Sequence, residues 1–175
     1  VRADHDPIVE KRDNTNGYYF YVWDGFIGLA LGDGTSLVDY CCVGPIQIGV
    51  DTHVAVTVDR DDPNGIVFYV NGSPVGAFDP TAQTGDLSNT NDLFLGRNRY
   101  STLPGSADSR FDGMIDDVEI FSRALSGAEI QNIYASCKCR HKCRVPRYTR
   151  FCEADGSVVA NVMVCNHGSV ARPFH

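Results

Sequence analysis

No apolar run in this chain approaches the roughly 18 residues that a membrane-crossing helix needs. The opening Val1-Arg2-Ala3-Asp4-His5 lacks the charged-then-apolar layout of a secretion signal. No membrane insertion is expected, and any targeting segment would lie outside these residues. A Ser-His-Asp set, a Cys-His nucleophile, a phosphate-binding glycine loop and a haem Cys-x-x-Cys-His are all missing, so no catalytic residue is assigned. Basic side chains are scarce over most of the length: residues 1–136 hold 20 acidic and 8 basic residues, whereas residues 137–175 hold 2 and 7. An acidic body repels nucleic acid and anionic lipid, and suits calcium, neutral sugars or basic partners. Nucleic acid is therefore excluded as a partner of the main domain.

Cysteine is abundant by contrast. The seven fall as a vicinal pair, Cys41 and Cys42, and a cluster of Cys137, Cys139, Cys143, Cys152 and Cys165. Such density in a small chain favours disulfides and an oxidising compartment, with the odd count leaving one thiol free or bonded to another chain. A zinc knot from Cys137, Cys139, His141 and Cys143 is the rival, but its one-residue gaps crowd the ligands. With 175 residues, one sandwich-sized core plus a tail is expected. The boundary is drawn at the composition change after Ser136, giving a domain over 1–136 and a Cys-rich basic tail over 137–175.

Short alternating or aromatic runs separated by Gly, Asp, Asn and Pro turns fill the first 120 residues and predict an antiparallel all-β domain. Strands are predicted at Pro7–Arg12, Tyr18–Trp23, Phe26–Leu31, Ser36–Val43, His53–Asp59, Ile66–Val70, Ser73–Phe78, Leu93–Gly96 and Phe111–Phe121. Asp24-Gly25 and Asn71-Gly72 each predict a tight hairpin, because both residues of the pair tolerate positive φ. Alternation assigns Val54, Val56 and Val58 to the core, and leaves His53 as a polar strand-end residue. One helix is predicted from Gly127 to about Tyr134, opened by a Ser126/Glu129 capping box with Leu125 and Ile130 as a staple, and expected to lie across a sandwich edge. In the tail, the apolar residues from Val158 to Val164 suggest a strand that docks on the first domain or begins another.

The run Phe111-Asp112-Gly113-Met114-Ile115-Asp116-Asp117-Val118-Glu119-Ile120-Phe121, followed by Ser122-Arg123-Ala124-Leu125-Ser126 and Ala128-Glu129-Ile130 to Tyr134, resembles the closing signature of laminin-G-like, concanavalin A-like domains. His53 to Val58 with Phe68-Tyr69-Val70-Asn71-Gly72 resembles the family's central strand and hairpin. Leu93 to Gly96, and Pro7 to Lys11 with Gly17 to Phe20, resemble others of its strands. The likeness covers residues 5–135. It implies an all-β, concanavalin A-like jelly roll of two antiparallel sheets with one short helix. Because the family has strands before this point, the resemblance also implies that the first strands are lacking and are supplied by another polypeptide or by further sequence.

The resemblance implies a structural calcium as cofactor, with Asp116 on the closing strand as its side-chain ligand. A glycoside hydrolase is a third, weaker reading: alternation would put Asp117 and Glu119 on one face at a spacing that retaining chemistry tolerates, but the acids around them do not follow the hydrolase pattern. Tyr19, Tyr21 and Trp23 alternate onto one face of their strand and are the candidate ligand-binding residues, since rings with polar tips stack on sugar C–H faces. Packing against a core or partner is the competing role of those aromatics. The expected function is a secreted or cell-surface binding and adhesion module (periplasmic in a bacterium) that is not an enzyme and recognises a carbohydrate or protein ligand. The alternative is a structural or accessory subunit of a larger extracellular assembly.

Overall fold

The structure, a computed structural model, describes residues 5–99, 110–140 and 161–165, with side chains described for 5–99 and 110–136. Ten strands and one helix make up the described elements. Strands β1 (Asp6–Arg12), β2 (Asn16–Trp23), β3 (Phe26–Asp33) and β4 (Leu37–Val43) are followed by β5 (His53–Val58), β6 (Ile66–Val70), β7 (Ser73–Phe78), the two-residue β8 (Phe94–Leu95) and β9 (Asp116–Phe121). Helix α1 (Gly127–Arg140) comes next, and β10 (Asn161–Cys165) lies in the tail. They form two five-stranded antiparallel sheets, ordered β4-β3-β2-β1-β8 and β7-β6-β5-β10-β9. This is the expected mostly β, jelly-roll sandwich.

The core lies between the sheets. Tyr18, Phe20 and Val22 of β2, Ile27, Leu29 and Leu31 of β3, and Val54, Val56 and Val58 of β5 meet there with Phe68 of β6. Period-two alternation turns the odd residues of β2 to the outside. Both predicted hairpins form: Asp24 and Gly25 have φ of 50° and 81°, and Asn71 and Gly72 have 51° and 77°, the double positive φ of a tight two-residue turn.

The helix begins as predicted. The backbone N–H of Ser126 donates to Glu129 Oε2 at 2.9 Å, and the N–H of Glu129 donates back to Ser126 Oγ at 3.3 Å. Leu125 and Ile130 are both buried, in a cluster with Ala55 and Tyr69. The helix therefore covers the outer face of the second sheet over β5 and β6 instead of a sandwich edge, because Ala55 leaves room there and Tyr69 offers a ring to pack on. It also runs on to Arg140, six residues beyond Tyr134, since no Gly or Pro interrupts Ala135 to Arg140. Removing the cap with Ser126→Ala should cost about 1 kcal/mol, measured by urea unfolding, with no change in ligand behaviour.

Two strands differ from expectation for local reasons. The closing strand starts at Asp116 instead of Phe111, because bends occupy Asp112 and Gly113. Within it, Asp117 has a φ of 50°, and the register slips between Met163 and Cys165 of β10, opposite Glu119 and Asp116. One extra residue on β9 breaks the alternation that would have matched Asp117 with Glu119. The other strand is β10. It pairs antiparallel with β5 on one side and with β9 on the other, so it lies inside the second sheet and joins β9 to it.

Candidate functional site

With α1 on the second sheet, the outer face of the first sheet is the side of the sandwich that the helix leaves uncovered. Register places Tyr19, Tyr21 and Trp23 of β2 opposite Ala30, Gly28 and Phe26 of β3, and Tyr19 opposite Glu10 of β1. The three predicted ligand-binding aromatics thus share this face, but their exposure differs sharply. Tyr19 and Tyr21 are buried, whereas Trp23 is 40% and Phe26 37% exposed. Among the described residues, the exposed end of the aromatic row is the one beside the Asp24-Gly25 turn.

Neighbours close over the two tyrosines. The His5 ring stacks on Tyr21 at 4.1 Å and meets Trp23 edge-on at 6.0 Å, while Tyr19 and Tyr21 stack at 5.0 Å. The Arg12 guanidinium sits over the Tyr19 ring, 4.7 Å from its centroid. Tyr21 reaches across β3 and donates its hydroxyl to Asp39 Oδ1 at 2.5 Å. That path needs Gly28, where a Cβ would come within 2.5 Å of the Tyr21 ring. Burial raises both phenol pKa values far above the ordinary range, and the Asp39 hydrogen bond adds to the effect at Tyr21. Both tyrosines therefore stay protonated at any physiological pH, with the Tyr21 proton directed at a carboxylate.

Glu10 is the least expected member of this face. Its side chain is fully buried, yet it lies in register with Tyr19 on the outer side. Arg12 Nε donates to Glu10 Oε1 at 3.0 Å, and the Arg99 N–H donates to Glu10 Oε2 at 2.9 Å. A buried carboxylate held by a guanidinium and a backbone amide is satisfied, so it locks the floor of the face in one arrangement. At the other edge a disulfide joins Cys41 to Cys42, and Cys41 packs against Tyr19, Tyr21 and Ala30. The disulfide occupies the bulge where β4 carries an extra residue against β3, and Cys42 takes a φ of 71° to fit it.

The aromatic row was legible from alternation, but Glu10, Arg12, His5 and Asp39 were not singled out. Glu10 and Arg12 carry a readable signal, being two residues apart on one strand and so on one face. His5 and Asp39 carry none; only tertiary packing brings them to Tyr21.

Of the other predicted positions, Asp116 opens β9 and its Oδ1 accepts the N–H of Asp117 at 2.9 Å. No group of three His, Cys, Asp or Glu side chains is gathered to hold a metal ion among the described residues. Cys137, Cys139, Cys143, Cys152 and Cys165 have side chains outside the described residues, as does the alternative His141.

A protein-family model described as the concanavalin A-like lectin/glucanases superfamily, of the laminin G type, matches residues 2–131. The chain belongs to that superfamily. No curated protein matches it, and neither does any solved structure. Laminin-G-like domains are often binding modules, are typically non-catalytic and are commonly extracellular. No helix among the described residues is long and apolar enough to cross a membrane. In this laminin-G-like domain the family match ends within α1, so β10 lies entirely outside it.

Proposed function

We propose that this domain is a non-catalytic extracellular binding module that takes a neutral saccharide on the outer face of its first sheet. The observation that supports this reading most directly is the pairing of exposed aromatic rings, Trp23 and Phe26, with a locked polar floor behind them. An apolar ring favours the C–H face of a pyranose, while Asp39, itself exposed, offers a carboxylate to hydroxyls. Tyr19 and Tyr21 act beneath the ligand, as ring supports, instead of as stacking partners. Their hydrogen-bonded, closely packed arrangement presents Trp23 with little ordering cost on binding.

The test is a glycan array followed by titration of any binding polysaccharide with native protein and with Trp23→Ala. Affinity should fall on the order of tenfold or more, the scale of losing one stacked ring. Unchanged affinity in Trp23→Ala would remove this face from the reading.

A further inference from the structure

The disulfide between Cys41 and Cys42 encloses no loop. A disulfide stabilises a fold chiefly by joining segments far apart in the chain, and its effect shrinks with the number of residues it encloses. Here the sequence separation is 1, so the bond ties no part of the domain to another. Its rupture leaves the core contacts on either side intact, since Tyr40 is buried in the core and Val43 packs against it. Those two inward residues are an odd number of positions apart, which period-two alternation cannot give, so β4 carries its extra residue with or without the bond. Fold stability therefore does not account for this disulfide.

What the bond does hold is local. Cys42 takes a φ of 71°, a left-handed conformation that a residue with a Cβ enters only at a cost, and it is bonded to a neighbour packed against Tyr19, Tyr21 and Ala30. Asp39 precedes Cys41 by two residues, on the same face of β4, and accepts the Tyr21 hydroxyl. A change at the bond thus reaches Tyr21 through one short piece of strand, and Tyr21 shares its face with Trp23. The two cysteines differ in access: Cys42 is exposed and Cys41 half-buried. Strand β4 ends its sheet, so no hydrogen-bonded neighbour covers Cys42 on the far side. Exposed disulfides are the ones that exchange readily with thiols.

We propose that the Cys41 and Cys42 pair is a thiol–disulfide exchange site whose co-substrate is an external dithiol, and that its redox state sets the arrangement of Asp39 and Tyr21 on the aromatic face. One thiolate of the dithiol attacks Cys42 Sγ and forms a mixed disulfide, while Cys41 leaves as a thiolate and takes a proton from water. The second thiolate then attacks the dithiol's own sulfur in that mixed disulfide, and Cys42 leaves as a thiolate that is protonated in turn. A pair of electrons passes to the cysteines, the dithiol departs as its own disulfide, and two neighbouring thiols remain. Released from the bond, Cys42 leaves the left-handed region, and Asp39 loses the fixed position at which Tyr21 donates. The exchange stands by itself; only its effect on saccharide affinity rests on the function proposed above.

The test treats the folded full chain with graded dithiothreitol, traps free thiols with iodoacetamide, maps them by peptide mass spectrometry, and reads the emission of Trp23, the single tryptophan, alongside. The expected result is alkylation of Cys41 and Cys42 at concentrations that leave the far-ultraviolet circular dichroism unchanged, with the Trp23 emission shifting over the same range and returning on reoxidation. Glutathione, a monothiol, should leave its adduct on Cys42 and not on Cys41. The variant Cys41→Ser/Cys42→Ser should show the emission of the reduced parent and no response to dithiothreitol, which separates this pair from the other cysteines. Cysteines 41 and 42 that stay unalkylated until the domain unfolds overturn the proposal. So does full alkylation with an unshifted Trp23, a result the parent gives even if the double variant fails to fold. For a saccharide found to bind, reduction should lower affinity on the order of tenfold. Unchanged affinity beside a shifted Trp23 would support the exchange and remove the saccharide from this face.

Discussion

Replacing Arg12 with Met should destabilise the domain by about 3 kcal/mol, because it strands the Glu10 carboxylate in a buried position. The cost arises from what remains and not from what is removed. Glu10 is fully buried and keeps only the Arg99 N–H once the guanidinium at 3.0 Å is gone. Two unit charges in a partly desolvated setting are held together by a few kcal/mol, but each lost hydration to get there, so the net value of the pair is small. The double variant Glu10→Gln/Arg12→Met should therefore lose less than the sum of its singles, and urea unfolding of all four proteins gives the coupling. A single Arg12→Met change within about 0.5 kcal/mol of the parent would show that the carboxylate finds water and that the face is not locked. The same variant removes the cation above Tyr19, so saccharide affinity should fall even where the protein remains folded.

Lowering the pH from about 6.5 to about 4 should cost roughly 3 kcal/mol through His53 alone. The ring is buried, its centroid is 5.5 Å from that of Tyr134, and neither nitrogen has a hydrogen-bond partner among the described residues. Burial lowers its pKa from 6.5 to about 4. In the unfolded chain the imidazole takes a proton as pH falls through 6.5, while the folded form refuses it until about 4. Stability is therefore complete above pH 6.5, declines through that window, and levels below it once both states are protonated. Asp33 and Glu129 act lower, since hydrogen bonds from backbone amides at Asp33 and from Arg123 at Glu129 bring their pKa values to about 2. Their contributions are lost only as pH falls through the carboxylate range. Denaturant midpoints of the parent and His53→Leu between pH 7 and 4 separate the effects: the slope above pH 4 should flatten in the variant. An identical slope in both would mean that protonation at His53 is not linked to unfolding.

His53 also shows where reading the chain alone falls short. Its position at the start of a valine-alternating strand marks it as a polar strand end, and a polar strand end is ordinarily solvated. Alternation does put it on the outer face, but that the outer face here is covered depends on α1, whose Tyr134 lies about two turns from the cap that starts the helix. The same applies to Glu10: a charged residue on the outward side of an edge-proximal strand reads as surface. It becomes buried only because Arg12, Tyr19 and the chain at Arg99, 89 residues away, converge on it.

The sequence by itself determined the sandwich and much of its hardware: two tight turns with paired positive φ at Asp24-Gly25 and Asn71-Gly72, the valine face of β5, the helix cap, and the shared face of Tyr19, Tyr21 and Trp23. These are set by φ preferences, period-two alternation and hydrogen bonds spanning three residues, all of which act within a few positions of one another. Tertiary structure alone decided which ring of that aromatic row meets solvent, how the Glu10 carboxylate is held, that the helix lies on a face and not an edge, and that a tail strand stands between β5 and β9. Each of those depends on groups far apart in sequence meeting across sheets. Their energies come from burial and pairing, which no local pattern encodes.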